Sequence, residues 1–492
     1  MGFSSKPSVD AQEALAMPQN SYTEAVSSLS SAFIRRSRDF SLWLIIFTLA
    51  WAPFPLGSNR EWSWSVLVLL ISLSYSFWLV WACANSNTVI ANFKQCAIPI
   101  CLSILVLGWA IAQSFSIVPD SWTHPIWKST ESLLSTKAPH AISLNPWRTL
   151  SEVTKLATYV LTAWLVFSLS RNIKRARLLL DLIIVIGTLY ALYAFAISII
   201  GVQQFEIFYG MTLPDASLSG PFVQRNSFAT FEGLVAISSI VRLMEIGYRR
   251  LQSCRGFRRT LITFIHFVCS RGVFAVIATV LSLSALIATA SRGASFATLA
   301  SVFGMALPFS VVMKRDHKRG WEKVGVSLLI LLMIMFWING GILTSRLHNL
   351  VDIGGADDIR VALWSAARRM ILSAPLLGLG LGSFQDAYPI YAERLYPFIM
   401  DKAHCDYLEF AAGVGLPAAL CWWLAILWCA IRMLIGVFVR RKDTLFPLLG
   451  FGATVLVAVH SSVDFSLQIP AVALLYSILL GLGMSQAYPT KA

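Results

Sequence analysis

The residues able to do chemistry stand where an otherwise apolar chain turns polar. His404 lies in Asp401-Lys-Ala-His-Cys-Asp-Tyr-Leu-Glu409. Imidazole titrates near neutrality, so this side chain can take a proton from a hydroxyl group. Asp406 and Glu409 follow closely enough to orient the ring. Cys405 is disfavoured as the nucleophile of a dyad with His404, because neighbours on a helix point about 100° apart. His460 and Asp464, at i and i+4 in His460-Ser-Ser-Val-Asp-Phe465, read as a capping pair at another polar junction.

Arg225 stands in Gly220-Pro-Phe-Val-Gln-Arg-Asn-Ser-Phe-Ala229, and Arg292 in Thr289-Ala-Ser-Arg-Gly-Ala294. A guanidinium binds an oxyanion through paired hydrogen bonds, so two such arginines suggest a phosphate or diphosphate site. For Arg225 the bland alternative is snorkelling to lipid head groups. Arg292 is expected to point into the bundle, since no Trp or Tyr flanks it as a lipid anchor. Arg360 is a third candidate, with a surface ion pair to Asp357 as the simpler reading. Glu232 lies about two turns deeper than Arg225 on the same helical face, and a carboxylate there needs a partner such as that arginine. Pro375-Leu-Leu-Gly-Leu-Gly-Leu-Gly-Ser-Phe384 alternates glycine with leucine. It lacks the Lys and Ser/Thr of a P-loop and predicts a close backbone approach instead.

Composition fixes the class of scaffold. Of 492 residues, 57% are hydrophobic and 13% charged, against about 25% charged in soluble globular proteins. The expected fold class is an all-α polytopic membrane protein. A helix crosses the hydrocarbon core with about 20 apolar residues. Apolar runs near 40–57, 62–84, 96–118, 150–169, 178–202, 225–246, 260–290, 293–313, 324–343, 405–436, 445–463 and 467–486 predict about twelve transmembrane helices. The net charge of +14 would suggest nucleic acid on a soluble chain. Here the clusters Arg35–Arg38, Arg171–Arg177, Arg249–Arg259, Lys314–Lys323 and Arg440–Lys442 all fall inside once the N-terminus is placed in the cytoplasm. The basic excess is an orientation signal, and no nucleic-acid partner is expected.

The chain divides accordingly. Residues 1–39 read as a disordered cytoplasmic tail. Residues 40–343 hold spans one to nine, with outer loops 119–149 and 203–224; Trp122, Trp127 and Trp147 suit an interfacial belt. Residues 344–404 form a large helical outer loop between spans nine and ten, and 405–492 hold the last three spans and a short tail. Within the large loop, Asp357–Ala374 predicts a helix, with Asp357 and Asp358 at its positive end and Pro375 as its stop. Val361, Trp364, Ala367, Met370 and Ile371 share the face expected to lie against membrane or protein. Eight cysteines show no CxxC pair and no metal-ligand spacing, so neither a disulfide framework nor a metal site is expected.

Taken in order, several segments resemble the O-antigen ligase / O-antigen polymerase family of bacterial inner-membrane glycosyltransferases. They are Ile142–Trp147 with the following span, Phe222–Phe228, Ser291–Ala294, Arg360–Phe384, His404–Glu409 and His460–Pro470, covering roughly residues 140–480. The resemblance implies a multi-pass inner-membrane enzyme whose outer side is the periplasm, where 344–404 forms the loop domain. It implies transfer of a glycan from a polyprenyl (undecaprenyl) diphosphate carrier to an acceptor hydroxyl, with no metal or other cofactor. Acceptors in such enzymes are lipid A–core, giving lipopolysaccharide, or a growing polysaccharide, including exopolysaccharide. Arginines like Arg225 and Arg292 hold the diphosphate, with Arg360 a further candidate, and a histidine like His404 helps activate the acceptor. Glu232, Asp406, Glu409, His460 and Asp464 are supporting candidates. Where the family carries Asn after the motif histidine, this chain has Cys405. The expected reaction is an inverting displacement. A transporter or flippase of lipid-linked oligosaccharide is the alternative, although no paired interrupted helices mark the two halves of the chain.

Overall fold

The computed structural model describes residues 19–138, 140–212, 217–251, 271–315, 356–397, 399–440 and 442–488. Every regular element among the described residues is helical. In hydrocarbon only a helix satisfies its own backbone within one segment, so the apolar runs fold this way. The first helices in chain order are α1 (Gln19–Trp51), α2 (Glu61–Ala84), α3 (Ser86–Ala112), α4 (Pro125–Leu134), α5 (Pro146–Leu169) and α6 (Ile173–Ile200). Next come α7 (Gln204–Tyr209), α8 (Arg225–Leu251), α9 (Arg271–Ala288), α10 (Arg292–Arg315) and α11 (Ala356–Ser373). The last are α12 (Phe384–Tyr391), α13 (Asp406–Val414), α14 (Leu416–Val439), α15 (Leu445–His460) and α16 (Pro470–Ser485).

The chain is a polytopic membrane protein. Seven of these helices are long and apolar enough to cross a membrane: α2, α3, α5, α6, α8 over Arg225–Ile246, α10 over Arg292–Val312, and α14. The Gly272–Ala288 part of α9, α15 and α16 are apolar but shorter. The expected span 324–343 lies outside the described residues. The run 40–57 is not one helix, because α1 stops at Trp51 where Pro53 and Pro55 shape a turn. Nor does a disordered tail reach residue 39, since α1 begins at Gln19. Helix nucleation is costly and propagation is not, so a helix formed in the apolar run extends back through Arg35–Arg38.

The run 405–436 is likewise divided. Gly415, at φ +83°, separates α13 from α14, and the Leu416 N–H leaves the bundle direction to donate to Pro375 O at 2.8 Å. At the centre of the molecule stands α8, with 89% of its apolar stretch inside. It packs against α6, α9, α10, α15 and α16.

A smaller helical layer of α11, α12 and α13 covers one end. Its core joins Leu363, Ala366, Ala367 and Met370 of α11 to Phe384, Tyr388, Met400, Ala403 and Ala412. The helix expected over 357–374 is α11, ending before Pro375 as its chemistry requires. Of the expected face, Ala367 and Met370 are buried beside Leu363 and Ala366, while Val361 is 61% exposed.

The glycine run ties this layer to the bundle. Gly378, Gly380 and Gly382 all have positive φ. Leu379 N donates to Ala412 O, Gly380 N to Gly413 O, and Leu144 N to Leu379 O, each at 2.9 Å. From the end of α3, Gln113 Nε2 donates to Leu377 O at 2.6 Å and Gly413 O at 3.0 Å. A Cβ on Gly378 would lie 2.3 Å from Gly413 O. The close backbone approach expected of this segment is what the fold uses.

Candidate functional site

His404 sits in the irregular stretch before α13 with φ +53°. For a residue with a Cβ this left-handed backbone costs about 1–3 kcal/mol and persists only where neighbours impose it. Here Trp364 Nε1 donates to His404 O at 3.4 Å, and Ala403 N donates to Glu409 Oε2 at 2.7 Å. Asp406 N donates to Ser461 O at 2.9 Å. The imidazole meets the Phe465 ring edge to face, centroids 4.8 Å apart. Its Nδ1 lies 3.5 Å from Asp464 Oδ1. That is an ion-pair distance, and neither His404 Nδ1 nor Asp464 Oδ2 completes a hydrogen bond.

Asp464 is buried between two histidines. Its Oδ1 accepts from Phe465 N at 2.8 Å, and its Oδ2 lies 3.8 Å from His460 Nε2. His460 Nδ1 is 3.0 Å from Thr230 Oγ1, which also donates to Ser466 Oγ at 3.0 Å. Burial pushes the Asp464 carboxyl up, but the adjacent imidazoles and the Phe465 N–H outweigh it and hold the group below the ordinary carboxylate range. A persistent anion thus faces His404. Asp464, rather than Asp406 or Glu409, is thus the carboxylate that lies against the His404 ring, with His460 on its other side.

Those two carboxylates turn elsewhere because α13 begins at Asp406 and rotates them away from the ring. Ser461 Oγ donates to Asp406 Oδ2 at 2.9 Å and Gln468 Nε2 to Oδ1 at 3.0 Å. Lys402 Nζ donates to Gln468 Oε1 and lies 3.6 Å from Glu409 Oε1. Burial pushes Asp406 up to about 7, with Glu409 and Asp464 adding to the rise and the two hydrogen bonds opposing it. Burial also raises the Cys405 thiol, which keeps it protonated and unsuited to attack.

A pH dependence follows from Asp406. Its folded pKa exceeds the unfolded value, so the stability it contributes is present at low pH and lost as pH rises from about 4 through about 7. The midpoint of thermal unfolding in detergent should fall across that window. Asp406→Asn should flatten the fall, and an unchanged slope in the variant would assign it to another group.

The arginines occupy helix starts. Arg225 is the first residue of α8 and Arg292 the first of α10. A cation at the positive end of a helix dipole is misplaced for stability, whereas an anion there gains from both. The two helix starts converge on His460: Thr230 of α8 touches its Nδ1, and a Cβ on Gly293 of α10 would lie 3.3 Å from its Nε2. Arg292 itself is exposed. Arg360 is half-buried and within electrostatic reach of His460; the Asp357 side chain lies outside the described residues. Glu232 is fully buried, and neither carboxyl oxygen completes a hydrogen bond. The pairing of Glu232 with Arg225 is therefore not made, although Ser282 lies nearby; two turns of helix set the groups too far apart.

Arg60 escaped the sequence reading. Its guanidinium packs on Phe205 and Tyr209, 5.7 and 5.5 Å from their centroids. It also lines a cavity of about 120 Å³ with Gln224, Ser227, Asp401 and Phe465. Only an aromatic pair from a distant segment marks it out, and spacing does not reveal that. A larger apolar cavity of about 540 Å³ has Glu152, Asp406, Glu409 and Gln468 at one end.

The O-antigen ligase family matches residues 277–423. The match contains Arg292, Arg360, His404, Asp406 and Glu409 and leaves Arg225, Glu232, His460 and Asp464 outside it. No curated protein matches the chain.

Proposed function

We propose that this chain, whose residues 277–423 place it in the O-antigen ligase family, transfers a glycan from a polyprenyl diphosphate carrier to an acceptor hydroxyl. It would act as an O-antigen ligase or as a polysaccharide polymerase. In this reading the protein resides in the bacterial inner membrane with the His404 end facing the periplasm and the N-terminus in the cytoplasm. One observation carries the proposal most of the way. The His404–Asp464–His460 array ends on two helix starts that each begin with arginine.

The reaction is a single displacement. His404 Nδ1 directs its hydrogen to Asp464, which leaves Nε2 as the base. The acceptor oxygen bonds to the anomeric carbon as the carbon–oxygen bond to diphosphate breaks. The hydroxyl proton passes to Nε2, and the bonding electron pair leaves on diphosphate. Attack and departure on opposite faces invert the anomeric configuration. Arg225, Arg292 and the N-terminal N–H groups of α8 and α10 are already in place for the growing charge, with Arg360 as a further cation. No Asp-x-Asp pair stands in the outer loops, so arginines rather than a metal bridge are proposed to hold the diphosphate. The carrier's tail lies among the spans.

Purified protein supplied with lipid-linked donor tests this reading. Arg225→Ala and Arg292→Ala should each lower transfer by about 10²–10³-fold, the usual loss of one charge-stabilising donor. Wild-type rates in both variants would refute the assignment. Glycolipids from a deletion strain separate the two activities: single repeats still attached indicate a polymerase, and unattached polymer indicates a ligase.

A further inference from the structure

The membrane face opposite His404 carries arginines treated in two different ways. One group is neutralised by carboxylates. Arg177 pairs with Glu245 at 3.1 Å and Asp443 at 2.6 Å, and Arg242 pairs with Asp181 at 2.7 Å. A few residues away, Arg171 and Arg432 gather around Tyr488 instead, with Arg440 beside them. The Arg432 guanidinium lies 4.2 Å from the Tyr488 ring centroid, and that of Arg171 lies 6.0 Å away. Arg171 Nη1 donates to Ser485 O at 2.7 Å, and Arg440 Nη1 to Tyr488 O at 2.6 Å. Tyr488 Oη donates to Gln95 O, next to the exposed Lys94. Among the described residues no carboxylate forms an ion pair with Arg171 or Arg432, while Asp443 is within electrostatic reach of Arg440.

Like charges brought together at a membrane surface call for an anion. A second observation says what is attached to it. The apolar cavity runs along α5 from Glu152 to Phe167, about 22 Å at 1.5 Å per residue. Its end beside the arginines is lined by Cys96, Ile100, Phe167, Cys429 and Met484. Phe167 lies between the two features, its ring 6.3 Å from Tyr488 and 5.7 Å from the Arg171 guanidinium.

We propose that Arg171, Arg432 and Arg440 bind the phosphodiester of an anionic phospholipid in that leaflet, with an acyl chain lying in the adjoining end of the apolar cavity. Guanidinium groups suit this ligand because they take two phosphate oxygens at once and tolerate partial burial. The assignment does not depend on the glycosyl-transfer reading.

Native mass spectrometry of the full-length protein in detergent tests it, with dioleoyl phosphatidylglycerol, dioleoyl phosphatidylcholine and inorganic phosphate as probes. Wild type should retain phosphatidylglycerol in preference to phosphatidylcholine. Each arginine removed near a lipid surface weakens binding about fivefold, so Arg171→Gln with Arg432→Gln should lose about thirtyfold. Arg432→Lys should keep most of the affinity, and Arg36→Gln, on an exposed position of α1, should change nothing. If the double variant does not fold, Arg432→Gln alone still reads the effect, because it removes a ring contact and no backbone hydrogen bond. Equal retention of both lipids, or unchanged binding in the variants, would overturn the proposal. Full displacement of the lipid by inorganic phosphate would overturn the acyl-chain part and leave a simple anion site.

Discussion

Replacing His404 by alanine should lower glycan transfer by about 10²–10⁴-fold, the usual contribution of a positioned general base, with folding little changed. The folding expectation rests on geometry. The His404 ring makes one aromatic contact and one long polar contact with Asp464, and alanine, which also carries a Cβ, leaves the cost of the left-handed backbone at φ +53° in place. Asp464→Asn should also slow transfer, by less, since it keeps the shape but removes the anion that selects the tautomer. Initial rates on purified protein measure both, with size-exclusion profiles as the control for folding. A His404→Ala enzyme at wild-type rate would remove the base from the mechanism.

The largest structural effect is expected at Gly378. A Cβ there would lie 2.3 Å from Gly413 O and 2.5 Å from Gly415 N. Both atoms are backbone, so no side chain can swing aside. Added to a φ of +70°, the clash should cost about 2–5 kcal/mol and detach the glycine run from α13. Gly378→Ala should therefore lower the unfolding temperature and speed proteolysis between α11 and α13. Gly108→Ala is the matched control, because nothing lies within 4 Å of its Cβ position and alanine favours the helix. Equal unfolding temperatures for the two variants would show that the run yields without loss.

Local chemistry explains what the chain revealed before its fold was known. The stop at Pro375, the helical character of 357–374 and the tight role of the glycine run each depend on neighbouring residues. So does the apolar length of the long helices. What spacing did not reveal were encounters across the fold. Asp406 and Glu409 stand close to His404 in sequence, yet the left-handed turn and the start of α13 carry them to Ser461, Gln468, Ala403 and Lys402. Asp464 reaches the ring from beyond the end of α15. Glu232 shows a further limit: sharing a helical face with Arg225 does not bring two groups together across two turns.

The meeting of Asp464 with His404 has a consequence for how activities of this kind can be recombined. Residues 277–423, the part shared with the O-antigen ligase family, carry His404 but neither Asp464 nor the Thr230–His460 contact. A graft of that segment alone into another scaffold would transplant an imidazole and leave its counter-anion behind. Under the proposed mechanism four separate strips of chain, around 220–232, 289–294, 360–409 and 456–470, must travel together. Hybrids cut at the borders of the recognisable segment should be folded and idle, while those exchanging all four strips should keep the His404–Asp464–His460 array beside both helix starts.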